Sequence, residues 1–255
     1  MESMRLANGL DVYHLDAGQT EFAFREIFLD RCYLQHGIQL HGGDVVWDVG
    51  ANIGLASLFF SMEQPNVTVF AFEPAPATFE VLRANFERSD IRGRAHPYGL
   101  FSSETAKPFR YYPRSSAMSG IAADAEHDAR VTRTYLRNSG LTEEDARFVV
   151  ESRFESAMLE CQFTTLSAVV RETAVDVISL LKVDVENAEM QVLAGINDAD
   201  WRRIQQIVME VHRDESLRAV GNALVARGFQ VTVEQDSLLH GTEMTMLFAR
   251  RDMRS

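Results

Sequence analysis

The stretch VVWDVGANIGLASLFF, residues 45–60, restricts what this chain can fold into more than any other. It opens as a buried strand and closes as an apolar helix. Asp48, Gly50, Asn52 and Gly54 crowd the joint between them. A strand that passes through a tight turn into a helix is half of a β-α-β unit, and repeated units of this kind build a parallel sheet with right-handed crossovers. A pyrophosphate on the helix N-terminus calls for G-x-G-x-x-G, but here the glycines are spaced Gly50-x-x-x-Gly54 and position 52 is Asn. The ligand expected at this turn is therefore not a dinucleotide.

The pattern repeats along the chain. DVVWDV is followed by a helix over 53–62, VTVFAFE by a helix over 77–88, and RAHPYGLF reads as a third strand. Later, VISLLKVDVE reads as a strand, 188–193 as a short helix, IQQIVMEVH as a strand and 215–227 as a helix. In that last helix Leu217, Val220 and Leu224 share a face, and Gly228 suits its C-terminal cap. FQVTVEQ and MTMLFAR have only a short loop between them and so must pair antiparallel. Ahead of the first unit, GLDVYHL reads as a strand and 20–36 as a helix with Phe24, Ile27, Phe28 and Cys32 on one face.

With 255 residues, 46% of them hydrophobic, the chain can bury a full core, and 1–255 is expected to form a single α/β domain. Residues 1–42 are then an N-terminal strand and helix extension, and 113–162 a helical insertion. Within the insertion a helix is expected from near Asp124 to Asn138, closed by Gly140. A second, over LTEEDARFVVESRF, has Thr142 as its N-cap and Ala146, Val149, Val150 and Phe154 at helical spacing. These helices are expected to form a lid that excludes water from the site; a surface elaboration or dimer contact is the alternative. No basic region leads into an apolar stretch at the start, and no run approaches the roughly 20 apolar residues of a membrane span, so a soluble cytoplasmic protein is expected. The formal charge of −12 argues against nucleic acid as a partner. Cys32 and Cys161 make no disulfide framework.

A second polar cluster lies in LLKVDVENAEMQVLAG, residues 180–195. Alternation in a strand would set Lys182, Asp184 and Glu186 on one side and Val183 and Val185 on the other. Charge inside a parallel strand is costly, so this row either pairs internally, Lys182 with Asp184, or reaches an open cleft. Ligands of such sheets sit beyond the carboxyl ends of the central strands, where Asp184 and Glu186 should meet Glu210 and His212 of the next strand. His212 is the expected general base for a hydroxyl acceptor, with Glu210 orienting its ring. Two carboxylates and a histidine could also hold a divalent metal, but none of the spacings is diagnostic, and the expectation is a site without one.

D-x-G-x-N-x-G at 48–54 resembles the first motif of S-adenosylmethionine-dependent methyltransferases. Gly50 and Gly54 would let the backbone close on the methionine half of the donor, Asn52 would bond its amino and carboxylate groups, and Asp48 would fix the loop. Glu73, ending the second strand before Pro74, would accept hydrogen bonds from the ribose hydroxyls. Together with FAFEP, TTLSAVV, LLKVDVENAE and EVH, the motif makes the chain resemble the FkbM family, which O-methylates hydroxyls of natural products, sugars or lipids. The resemblance implies a class I methyltransferase fold, a Rossmann-like seven-stranded sheet of order 3-2-1-4-5-7-6, and places Tyr98, Gly99 and Leu100 near the adenine. Asn187 stands where the family commonly has Gly, a substitution that tolerates left-handed geometry. YGLF at 98–101 departs from an Asn-x-Ala-Leu-like stretch.

Among FkbM-like domains the resemblance is greatest to those accompanying polyketide and peptide synthetases. It implies a small-molecule or phosphopantetheine-bound acceptor and, as a partner, an acyl or peptidyl carrier protein. Arg130, Arg133 and Arg137 could share a helix face and meet that acidic carrier. An N-methyltransferase of the same fold and a non-catalytic nucleotide-binding module are the alternatives.

Overall fold

The computed structural model describes residues 1–151 and 153–251. The chain opens with a small antiparallel pair, β1 (Glu2–Arg5) and β2 (Asp11–His14). Helix α1 (Ala17–Phe24) follows, with Asp16 capping it by accepting a bond from the Gln19 amide at 2.8 Å. It runs into a π-helical turn, Arg25–Leu29. The helix expected over 20–36 thus begins earlier and stops sooner, because the wider turn ends the α-helical ladder before Cys32. Then come β3 (Val45–Val49), α2 (Leu55–Glu63), β4 (Thr68–Phe72), α3 (Pro76–Arg88) and β5 (Gly93–His96).

β6 (Gly99–Leu100) and β7 (Thr105–Tyr111) lead into α4 (Ala125–Asn138) and α5 (Glu143–Glu151). They are followed by β8 (Ala157–Thr164), α6 (Leu166–Thr173), β9 (Ile178–Val183), α7 (Glu189–Ala194), β10 (Ile204–Val211), α8 (Asp214–Val225), β11 (Gln230–Glu234) and β12 (Thr245–Arg250).

The main sheet has seven strands in the order β5-β4-β3-β9-β10-β12-β11. Numbered by their sequence within the sheet this is 3-2-1-4-5-7-6, the class I methyltransferase order. β5, β4, β3, β9 and β10 are parallel, while β12 runs antiparallel to both β10 and β11, as the short loop of the terminal hairpin requires. Alternation along the strands sends side chains into two cores. Val46, Val69, Leu180 and Val208 pack toward α2 and α3, whereas Trp47, Phe72, Leu181 and Ile207 pack toward α6, α7 and α8. The N-terminal pair is clamped to α3 by Asn85, whose side chain accepts from the Tyr13 amide at 2.8 Å and donates to the Tyr13 carbonyl at 3.0 Å.

RAHPYGLF does not form one strand. Pro97 carries no N–H and cannot extend the ladder, so the chain leaves the main sheet at His96 and enters a second sheet, β6-β8-β7. Of this second sheet only β8 overlaps the insertion expected over 113–162, whose end is therefore strand and not helix. The two helices are present there. Asp124 caps α4 through the Glu126 and His127 amides, and the Thr142 hydroxyl accepts from the Asp145 amide ahead of α5. α5 ends at Glu151, so Phe154 is not on it, and Ser152 lies outside the described residues. No helix among the described residues is long and apolar enough to cross a membrane.

Candidate active site

The carboxyl ends of β3, β4, β9 and β10 meet at two adjoining cavities, of about 340 and 60 Å³. Gly50, Asn52 and Asp184 line both. The smaller one adds Glu73, Pro74, Gly99 and Leu100; the larger adds Lys182, Glu186 and Glu210. Sequence neighbours are thus divided between the two cavities, while residues about 130 apart in the chain are brought together.

At the β3 turn the two glycines have different reasons. Gly50 has φ +75°, and a Cβ there would lie 1.7 Å from the Asp184 carbonyl oxygen, so the turn can pass β9 only without a side chain. Gly54 has φ +91° and lines neither cavity; its missing Cβ would meet Leu82 Cδ1 at 2.7 Å. It serves the packing of α2 on α3 and not, as expected, the approach of a ligand. Asn52 takes the left-handed conformation at φ +49°. Its Oδ1 accepts from the Ile53 amide at 2.7 Å and from the Ser116 hydroxyl at 3.3 Å, and its own amide donates to Glu73 Oε2 at 3.1 Å. Glu73 therefore ties the turn to the end of β4, while its Oε1 accepts from the Ala75 amide at 2.9 Å. Burial pushes the Glu73 carboxyl up to about 7, although those two amides pull the other way.

Asp48 fixes the loop from behind and touches neither cavity. It is wholly buried, accepts from the Ser57 hydroxyl at 2.6 Å and pairs with Lys182 Nζ at 3.1 Å. Lys182 also donates to the Gly50 carbonyl at 2.7 Å and lies 3.5 Å from Asp184 Oδ2. The expected Lys182–Asp184 pair exists, but Asp48 is the nearer partner. Burial alone would strip the Lys182 charge; Asp48 and Asp184 together outweigh it and hold the ammonium protonated.

β9 stops at Val183, so alternation does not carry Glu186 to the cavity. Left-handed turns at Glu186 (φ +52°) and Asn187 (φ +68°) do so instead. His212 is in reach of the carboxylates but not of an acceptor: it is 2% exposed and lines neither cavity. Its Nδ1 bonds Glu189 Oε1 at 2.7 Å and its Nε2 lies 3.2 Å from Glu186 Oε2. Glu210, expected to orient the ring, stands 3.9 Å from Nε2, so Glu189 is the orienting residue. Burial disfavours the imidazolium, but Glu186, Glu189 and Glu210 together raise its proton affinity well above the ordinary value. Burial and the nearby Asp184 push Glu210 up to about 8.

Tyr98 does not reach either cavity. Its hydroxyl bonds His96 Nδ1 at 2.9 Å and its ring packs near Phe72. Sequence reasoning missed Glu189, which reads as an ordinary helix-start acid, and Tyr33, whose hydroxyl donates to Asp184 Oδ2 at 3.2 Å. It also missed Asp128 of α4, a buried acid bonded by the Tyr112 hydroxyl at 3.2 Å. Nothing in local spacing marks Tyr33 or Asp128, since both arrive from outside the main sheet.

The FkbM methyltransferase domain profile matches residues 48–231, which contain every one of these turn and strand-end residues except Tyr33. The chain is 45% identical to 31-O-demethyl-FK506 methyltransferase FkbM of Streptomyces tacrolimicus over 98% of its own length and 97% of that protein's. It is 37% identical to AMB antimetabolite synthetase AmbE of Pseudomonas aeruginosa over 96% of its length, although that match spans 12% of the synthetase. Among solved structures, the FkbM methyltransferase from Methylobacillus flagellatus shares the fold with a TM-score of 0.55 at 13% identity, covering 85% of this chain and 46% of that one. The chain is a methyltransferase and belongs to the FkbM family.

Proposed function

We propose that this methyltransferase moves a methyl group from S-adenosylmethionine to a hydroxyl oxygen of a natural-product acceptor. The observation that carries this reading is the sharing of one space by the glycine turn and the carboxylates Asp184, Glu186 and Glu210. The residues fit the donor. Glu73 faces the smaller cavity with each oxygen bonded to a single amide, which leaves lone pairs for the two ribose hydroxyls. Gly99 and Leu100 offer an apolar wall for the base, and the Gly50–Asn52 turn gives backbone groups for the amino-acid end. When bound, the donor supplies an activated methyl on a sulfonium centre.

Glu186 is the residue of this chain placed to take the acceptor's proton, because it lines the larger cavity whereas His212 stands behind it. The Glu186 carboxylate would accept the proton that the acceptor hydroxyl loses as its oxygen is methylated. Val131, Leu136 and Val149 of α4 and α5, together with Met118, Leu239 and Met244, roof the cavity with apolar surface. This wall suits a largely apolar acceptor that presents a hydroxyl downward, and it shields the reaction from water. The Streptomyces relative, named for a demethylated natural product, supports the same acceptor class.

An acceptor held on a phosphopantetheine arm of a carrier protein is the second form of this reading, favoured by the synthetase relative. The arginine face supports it less than the sequence implied, since Arg133 and Arg137 both approach Glu143 and Arg130 bonds His127. Cys32 and Cys161 as unpaired thiols fit a reducing, cytoplasmic setting. Labelled S-adenosylmethionine offered with a panel of hydroxylated and amine acceptors, free and carrier-bound, tests the proposal. O-methyl products support it, and N-methyl products alone overturn it.

A further inference from the structure

Three carboxylates converge on the floor of the larger cavity. Asp184, Glu186 and Glu210 all line it. Lys182, the adjacent cation, is already bound to Asp48 and to the Gly50 carbonyl, and it offers Asp184 only its third contact. His212 stands beside these carboxylates. With Nδ1 bonded to Glu189, its Nε2 is aimed at Glu186 Oε2, 3.2 Å away, and at Glu210 Oε1, 3.9 Å away. Nε2 and Glu186 Oε2 are both buried and face each other without a well-directed hydrogen bond. Three potential ligand atoms, one each from Asp184, Glu210 and His212, lie within 4.8 Å of one another.

We propose that Asp184, Glu210 and His212 form a site for a divalent cation of the magnesium or manganese class at the tips of β9 and β10, open to the acceptor cavity. Two carboxylates and one imidazole form an oxygen-rich, hard donor set, which suits these ions better than it suits zinc. Metal bonds of about 2.1 Å put opposite ligands about 4.2 Å apart, so a small inward shift of the three side chains closes the sphere. The carboxylate behind the ring has a role as well. A ligating histidine usually donates its other N–H to such a group, and Glu189 is already there at 2.7 Å. Asp184 is steadied on its Oδ2 by Tyr33 and Lys182.

Asp184 and Glu210 line the cavity, so a cation they held would be within reach of an acceptor oxygen there. A metal-bound hydroxyl is more acidic, and its proton would pass to Glu186, which the cation frees from His212. This deepens the O-methylation reading and rests on it for the acceptor; the cation site itself rests on the three side chains.

The test uses the full chain, stripped with a chelator and titrated with Mn²⁺ under electron paramagnetic resonance. The expected result is a single bound ion whose spin echo carries a ¹⁴N coupling from one imidazole. His212→Gln should remove that coupling, Asp184→Asn should weaken binding roughly tenfold or more, and Glu63→Gln, on the far surface, should change neither. No binding by the wild-type chain at millimolar Mn²⁺, or binding without nitrogen coupling, overturns the proposal and needs no variant to fold. Calorimetry with S-adenosylmethionine on the chelated sample separates the two readings. Donor uptake without Mn²⁺ uptake defeats the cation site alone, and Mn²⁺ uptake without donor uptake supports the cation site and defeats the donor assignment.

Discussion

Lys182 and Asp48 face each other 3.1 Å apart across β9 and β3, with 3% and 0% of their side chains exposed. The ammonium reaches past Asp48 to the Gly50 carbonyl, so one buried charge pair pins the glycine turn to the centre of the sheet. Removing one partner strands the other charge in the interior. Lys182→Met is therefore expected to cost about 3–5 kcal/mol of stability, measured by urea unfolding. A loss under about 1 kcal/mol would mean that Asp48 finds another partner or takes up a proton at little cost.

Glu73 gives a dependence on pH with a definite sign. Its carboxyl is raised to about 7 in the folded chain against an ordinary value of 4.5, so the folded state binds the extra proton. The stability it contributes is therefore present at acid pH and lost as pH rises toward 7. Donor binding should run the opposite way, because the ionised form is the better acceptor for ribose hydroxyls. Calorimetry from pH 6 to pH 8 should show S-adenosylmethionine affinity rising. Glu73→Gln should flatten that rise and weaken binding by about 10–100-fold. A variant with the wild-type affinity and slope would remove Glu73 from the donor site.

The two turn glycines should separate in a rescue experiment. Gly54→Ala collides with a leucine side chain, and Leu82→Ala in the same chain should recover part of its lost stability, with the remainder set by the positive φ. Gly50→Ala collides with the Asp184 carbonyl, a backbone atom that no side-chain change can move. It should abolish donor binding in every background. Thermal melts and donor titrations of these three variants decide the matter.

Glu186→Gln should reduce kcat by about 10²–10⁴-fold with little change in donor Kd, as expected for loss of a proton acceptor away from the donor's own contacts. Glu189 lines neither cavity; it orients His212 and accepts from the Asn187 amide at 3.0 Å, so Glu189→Gln acts through positioning alone. It should give a smaller kcat loss and a ¹⁴N signal altered but not absent. Equal losses in the two variants would assign both to structure alone.

Leu136 lies on the cavity wall contributed by α4. Leu136→Asp should raise the acceptor KM by about tenfold or more, since it places a charge against apolar substrate, while donor affinity stays put. An unchanged KM would make α4 and α5 a surface elaboration and not a lid.

Much of this was written in the sequence because it is local. The glycine turn, the order of strand and helix, the terminal hairpin and the caps at Asp124 and Thr142 follow from spacing and turn chemistry within a few residues, and the strand-end acids Glu73, Asp184, Glu186 and Glu210 are found at the cavities. Tertiary structure decided what no window of sequence contains. Pro97 diverts the chain into a second sheet, Asp48 takes Lys182 from Asp184 as its nearer partner, and Glu189 replaces Glu210 at His212. The physical reason is common to all three. Periodicity states which way a side chain points along its own element, whereas an ion pair in a buried site is chosen by distance and dielectric among groups that separate elements bring together.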